Sequence, residues 1–143
     1  MPKSFKTVVC LFFIAAGCVY ILGMLIPIME VDAAQYASIT QQLLEDGNYL
    51  QVKDREFNYL DKPPLLFWMA AGSVSLFGTT SFAYKLPSVL ILLLAIFSTY
   101  KFSRLHNNKA ISLLAALIVT CSQAFFIMAN DCRTDNLLLG FSM

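Results

Sequence analysis

The stretch TVVCLFFIAAGCVYILGMLIPIM, Thr7 to Met29, decides the fold. Lys6 precedes it, Glu30 follows it, and no residue between them is charged. A helix over those positions would be about 35 Å long, enough to cross the hydrocarbon core of a bilayer. Lys3 and Lys6 ahead of an apolar run also fit the start of a secretory signal, and Ala15-Ala16-Gly17-Cys18 faintly resembles a lipoprotein cleavage site. The run continues to Pro27, however, beyond the roughly 7 to 15 apolar residues of a signal segment, so an uncleaved anchor is the better reading.

Outward from this stretch the same composition recurs. Ala110 to Asn130 is uncharged, and Leu86 to Tyr100 is extended by Phe82, Tyr84 and Phe102 around Lys85 and Lys101, whose stems can snorkel. The spans expected are therefore about 7–29, 82–102 and 110–130. Of 143 residues 58% are hydrophobic and 13% charged, against roughly half and a quarter in a soluble domain. The fold class expected is all-α, a multi-spanning transmembrane bundle, with residues 1–143 as one unit lacking internal repeats. A new apolar segment begins at about residue 136 and stops at 143 with no basic flank or polar tail, which reads as a truncated chain.

The distribution of charge orients the spans. Acidic residues occur only at Glu30, Asp32, Glu45, Asp46, Asp54, Glu56 and Asp61 and again at Asp131 and Asp135. Lys3, Lys6, Lys101, Arg104 and Lys109 flank the opposite ends of the spans, which the positive-inside rule places in the cytoplasm. The N-terminus is then cytoplasmic and loop 30–81 extracytoplasmic. Pro63 to Tyr84 is also uncharged, but reading it as a span would carry Lys101, Arg104 and Lys109 outside. An interfacial or re-entrant helix fits better, with Pro63 and Pro64 in its first turn and Phe67 and Trp68 at headgroup level. Earlier in the loop, Ala33 to Glu45 reads as a short amphipathic helix. Ala33, Tyr36, Ala37, Thr40, Leu43 and Leu44 form one face, and Gly47-Asn48 ends it. Asn48 to Leu60 reads as a polar connector.

A net charge of +1 gives no footprint for nucleic acid, and none is expected as a partner. Cys10, Cys18, Cys121 and Cys132 match neither a disulfide framework nor a metal spacing and read as small hydrophobes. His106, the only histidine, falls on the cytoplasmic side, away from the acids. That excludes a histidine base here. Ionisable groups instead collect at the outer ends of the spans: Glu30-Val31-Asp32, Asp61-Lys62-Pro63-Pro64, and Asp131-Cys132-Arg133-Thr134-Asp135. Charge at the edge of a bundle is costly enough to point to function.

The order Asp32-x-x-x-Tyr36-Ala37, Gly47-Asn48-Tyr49-Leu50, Tyr59-Leu60-Asp61-Lys62-Pro63-Pro64-Leu65-Leu66-x-Trp68, Leu76-Phe77-Gly78 and Lys85-Leu86-Pro87-Ser88 resembles the N-terminal part of the protein O-mannosyltransferases and lipid A aminoarabinose transferases. Both belong to the GT-C superfamily of membrane glycosyltransferases. The resemblance implies a many-span helical bundle with juxtamembrane helices in the first outer loop. It implies a hexosyl- or pentosyltransferase of the bacterial inner membrane that takes a sugar from polyprenyl phosphate. The acceptor, on the outer face, would be a protein, lipid A or another glycolipid, and this stretch alone would be inactive.

Residue by residue, Asp32 matches the catalytic acid, Lys62 the lysine on the donor phosphate, and Asp135 the acid of the later outer loop. Asp61 matches a position that ligates metal in some members. Where the family often has two adjacent acids, Ala33 follows Asp32 and the neighbouring acid, Glu30, precedes it.

The chemistry explains these residue types independently. A departing polyprenyl phosphate is already a good anion, so its site needs cations more than a strong acid. Lys62 and Arg133 supply them, one as a point charge and one as a fork. Asp32 would accept the proton of an incoming hydroxyl, with inversion by direct displacement, and Glu30, Asp61 and Asp135 would support it. No cofactor is demanded, though a divalent hard cation on Asp32, Asp61 or Asp135 would suit carboxylate ligands. The bland rivals are Asp32 as a helix cap, Asp61-Lys62 as a surface ion pair, and Arg133 and Asp135 as anchor and cap. The rival function is a non-enzymatic membrane subunit or a transporter fragment. Transporters, though, place ionisable groups near the midplane on broken helices.

Overall fold

The computed structural model describes residues 3–28, 31–55, 57–130 and 134–142. Seven helices are seen there: α1 Lys3–Leu25, α2 Val31–Asp46, α3 Leu65–Phe77, α4 Ser81–His106, α5 Lys109–Thr120, α6 Gln123–Asn130 and α7 Asp135–Ser142. A small antiparallel hairpin, β1 Lys53–Asp54 and β2 Phe57–Asn58, stands between α2 and α3. The all-α bundle is as expected; the hairpin lies inside what reads from sequence as an irregular connector.

By length and composition α1 and α4 can each cross a membrane, and α5 with α6, a pair bent by 48°, is long and apolar enough for a broken span or a re-entrant loop. The bend departs from the single run expected over 110–130. The helix breaks at Cys121-Ser122, and the Tyr20 hydroxyl of α1 donates at 3.1 Å to the Thr120 carbonyl at the break. The last carbonyls of any helix lack continuation donors, and an inserted side chain that meets one makes a kink tolerable. Helix α1 ends at Leu25 rather than running on to Met29, because Pro27 disfavours helical backbone at Ile26.

Helix α2 carries the helix formers Ala33, Ala34, Gln35, Ala37, Gln41 and Gln42, and buries Ala33, Tyr36, Ile39, Thr40 and Leu43. Ile39, 1% exposed, lies on the buried face, though the sequence reading leaves it out of that face. At the end of α3, Gly78 adopts φ 77, a left-handed value that suits glycine, and its N–H closes on the Val74 carbonyl at 2.8 Å. Thr80 then caps α4, its hydroxyl accepting the Ala83 N–H at 3.2 Å. Helix α3, at 13 residues, is shorter than a crossing needs.

Leu66 and Phe67 of α3, Tyr36, Ile39 and Leu43 of α2, Val52, Ile91 of α4 and Leu137 of α7 share one core. The outer loop is thus packed onto α4 and α7 instead of hanging from the bundle. Phe67 is fully buried, with the Tyr36 and Tyr59 rings each edge-on to it at 5.7 Å. It serves as core where the sequence pattern suits a headgroup-level anchor. Trp68 donates its indole N–H to the Tyr49 carbonyl at 2.7 Å and so ties the connector down.

Candidate functional site

Asp32 lies in the first turn of α2, exposed, where its carboxylate complements the positive end of the helix dipole. It is inside the helix, not at the cap position preceding it. Three residues on, Gln35 donates to Asp54 Oδ2 at 2.6 Å, and two turns further Gln42 brackets Arg55, donating to its carbonyl at 2.5 Å and accepting its N–H at 2.8 Å. These bonds lay the hairpin along α2. The Tyr59 N–H continues the pairing to the Val52 carbonyl at 2.9 Å, and Gln51 donates to the Asn58 side chain at 2.7 Å.

The clamped hairpin makes two clefts with one shared wall. The larger, about 760 Å3, lies between α2 and the hairpin and is lined by Val31, Gln35, Ser38, Asp54, Arg55 and Tyr59 among others. The smaller, about 460 Å3, holds Lys62 together with Leu50, Val52, Leu60, Pro63 and Pro64. Asn58, Tyr59 and Asp61 line both. Asp61 and Lys62 are exposed on this lip. Lys62 therefore sits where a charge meets an apolar trough, and Asp61 sits where the two clefts touch.

Tyr59 enters the sequence reading only as the first residue of the motif Tyr59-Leu60-Asp61-Lys62, with no role of its own. Its phenol is pushed up to about 12 from an ordinary 10.0, first by burial, then by the neighbouring Tyr36 phenol, and finally by the Asp61 and Asp32 charges. Electrostatically, then, the structure gathers Asp32, Asp61 and Tyr59 around one point. A phenol so held remains protonated at neutral pH and acts as a donor toward carboxylates or a ligand oxygen.

Asp135 opens α7, exposed in its first turn. Leu137 anchors that helix in the Phe67 core, and Gly140 lets it lie against Ile91 of α4, where a Cβ would clash. Glu30 and Arg133, with Asp131 and Cys132, lie outside the described residues. Among the described residues no three His, Cys, Asp or Glu side chains gather closely enough to hold a metal ion. Asp32, Asp61 and Asp135 thus do not form the three-carboxylate cation site that their residue types allow.

Lys85 corrects the snorkelling expectation. It is 3% exposed, and its ammonium donates to the carbonyls of Gly23 at 3.1 Å, which also accepts the Ile26 N–H, and of Ile26 at 2.9 Å, just past the end of α1. A cation there also meets the negative end of the α1 dipole. Gly23 has a second role: a Cβ on it would collide with the Asn130 carboxamide at the end of α6. The C-terminal ends of α1 and α6 and the N-terminal part of α4 thus meet at Gly23. A lysine near the outer end of an otherwise apolar run was the one sequence signal for it. Away from these groups, an apolar groove of about 340 Å3 runs between α1 and the α5–α6 break, lined by Phe12, Tyr20 and Phe126.

Residues 61–143 match the family model described as dolichyl-phosphate-mannose-protein mannosyltransferase. Among curated relatives, an undecaprenyl phosphate-alpha-4-amino-4-deoxy-L-arabinose arabinosyl transferase 1 of Pseudomonas fluorescens strain Pf-5 is 32% identical over 131 residues. That alignment takes in 87% of this chain and 23% of the relative. The transferase of the same name from strain Pf0-1 is 29% identical over 130 residues, 87% of this chain and 22% of its own length. Among solved structures, apo ArnT from Cupriavidus metallidurans superposes with a TM-score of 0.86 at 21% identity, covering 96% of this chain and 26% of that one. The likeness extends to the fold. The chain spans about a quarter or less of the length of each of these proteins.

Proposed function

Because the chain belongs to the dolichyl-phosphate-mannose-protein mannosyltransferase family, we propose that it carries the donor-side catalytic loop of an inner-membrane glycosyltransferase that takes its sugar from polyprenyl phosphate. The acceptor is a hydroxyl or phosphate at the extracytoplasmic face. The relatives' printed names support a donor with an undecaprenyl-phosphate-linked amino sugar. The observation that carries this reading is the pair of clefts meeting at Tyr59 and Asp61, with Lys62 in one and the first turn of α2 beside the other.

In this reading residues 1–143 belong to one transmembrane domain, with the N-terminus in the cytoplasm and loop 30–81 outside. The asymmetry of lysines and arginines about the spans supports that orientation. The donor phosphate sits by Lys62, joined by Arg133, with the first prenyl units along Leu50, Leu60 and Pro63. An acceptor hydroxyl approaches from the larger cleft. Its oxygen bonds to the anomeric carbon as the bond from that carbon to the phosphate oxygen breaks, inverting the centre. The hydroxyl proton passes to Asp32, and the negative charge left on the phosphate is balanced by Lys62. Asp61 and Tyr59 hold the sugar between the two clefts, with Glu30 and Asp135 as supporting acids. An acceptor phosphate arrives already ionised and needs no base.

The test is transfer by the full-length protein in detergent from undecaprenyl-phosphate-linked 4-amino-4-deoxy-L-arabinose to a hydroxyl-bearing acceptor, with products read by mass spectrometry. Asp32→Asn is expected to lower kcat at least about 100-fold with the fold intact. Lys62→Ala is expected to weaken donor use at least about tenfold. Wild-type rates in both variants would refute these roles.

A further inference from the structure

The hairpin turn contains a residue that turn chemistry does not favour. Asp54 pairs with Phe57, so Arg55 begins a two-residue connection, and it adopts φ 59. Two-residue hairpin turns call for this left-handed geometry and are best filled by Asn, Asp or Gly; a long L side chain is sterically disfavoured there. Backbone outliers held in place by their surroundings are commonest at ligand sites.

Arg55 is so held. A single α2 side chain, Gln42, accepts its N–H at 2.8 Å and donates to its carbonyl at 2.5 Å, and Gln35 fixes the preceding residue through Asp54 Oδ2 at 2.6 Å. The guanidinium makes no hydrogen bond or ion pair with any described residue, yet Arg55 lines the 760 Å3 cleft that reaches Tyr59 and Asp61. Of the two acids adjacent to it in sequence, Asp54 is engaged by Gln35, and Glu56 lies outside the described residues. Lys62 lines the other cleft, so each cleft has a cation of its own on either side of the wall of Asn58, Tyr59 and Asp61. A backbone pinned at both polar groups, in a conformation that favours a smaller residue, fixes the origin of a planar five-donor fork suited to an oxyanion.

We propose that Arg55 recognises an anionic group, a phosphate or a carboxylate, on the substrate that enters the larger cleft. This rests on the glycosyltransferase reading for the word substrate; the anion site itself does not. The anion belongs either to the acceptor or to the donor phosphate, and the kinetics distinguish them.

In the full-length protein, Arg55→Gly removes the fork and relieves the backbone, so thermal stability is expected to hold or rise while the KM for one substrate rises about tenfold or more. Arg55→Lys is expected to recover part of that loss, keeping the charge without the fork. A rise confined to the acceptor KM places the anion on the acceptor, and one confined to the donor KM places it on the donor. Unchanged KM values for both substrates would overturn the proposal.

Calorimetric titration with phenyl phosphate in a Lys62→Met background decides the matter without turnover. Binding is expected there and is expected to disappear when Arg55→Gly is added. Equal binding in the two proteins, or none in Lys62→Met, overturns the anion site. Arg55-dependent binding in a protein whose wild type transfers no sugar would instead overturn the enzymatic reading and leave the anion site standing.

Discussion

The spans and the outer layer differ in what their polar groups are left free to do. Within the spans, side chains are spent on backbone carbonyls: Tyr20 on Thr120, Thr99 on Ala95, Asn130 on Phe126, and Lys85 on Gly23 and Ile26. In the outer layer side chains also meet backbone, Trp68 at Tyr49 and Gln42 at Arg55, but there they bond to one another as well, Gln35 to Asp54 and Gln51 to Asn58, while Asp32, Arg55, Asp61 and Lys62 stay exposed. An unpaired polar group is expensive in lipid and inexpensive in water, so only the outer layer can leave charge free for a ligand. The spans hold helices together; the outer layer offers chemistry.

That contrast can be broken from either side. The strongest structural effect is expected at Phe67, which joins the two regions: Phe67→Ala should cost about 3–5 kcal/mol. Denaturant titration of the full-length protein would read it, and a loss below about 1 kcal/mol would mean that the outer layer is not packed on the spans as described. Next comes Lys85→Met, which leaves the Ile26 carbonyl without its lysine donor and the Gly23 carbonyl with only the Ile26 N–H. It should cost about 1–3 kcal/mol and lower transfer as well, with Lys85→Arg recovering part of both. Stability lost with no change in rate would confine Lys85 to holding helices. Smaller again, Thr80→Ala removes the cap of α4 and should cost about 1 kcal/mol while leaving kcat unchanged.

The smallest effect concerns alkaline pH. Because folding raises the Tyr59 phenol from 10.0 to about 12, the unfolded chain ionises first as pH rises. Stability from this group is complete below pH 10.0 and is lost as pH climbs toward about 12. Tyr59→Phe should flatten that decline in a thermal unfolding series. An identical alkaline slope in both proteins would remove Tyr59 from the neighbourhood of Asp32 and Asp61.

Much of the site was legible as residue types. Asp32, Asp61 and Lys62 declare themselves because charge at the end of an apolar run is conspicuous, and the structure brings Asp32 and Asp61 within electrostatic reach of Tyr59. What went unread were uncharged or seemingly ordinary residues: Gln42, one of several glutamines on an amphipathic helix, and Arg55, which reads as a solvated loop charge. The hairpin escaped for the same reason. KDREFN has neither the Asn-Gly turn nor the β-branched alternation that announces strands, and its pairing depends on Gln35 and Gln42 nearly twenty and thirteen positions earlier.

The sequence by itself determined that this chain enters a membrane and roughly where it crosses, because the cost of charge in hydrocarbon is local and accumulates residue by residue. Only the tertiary structure decided that Phe67 is core rather than anchor, that Lys85 caps α1 instead of snorkelling, that the third apolar run bends at Cys121-Ser122, and that Arg55 is pinned. Each depends on partners distant along the chain, 62 positions for Lys85 with Gly23 and 100 for Tyr20 with Thr120. No local pattern records which distant carbonyl a donor will meet; packing the helices settles it.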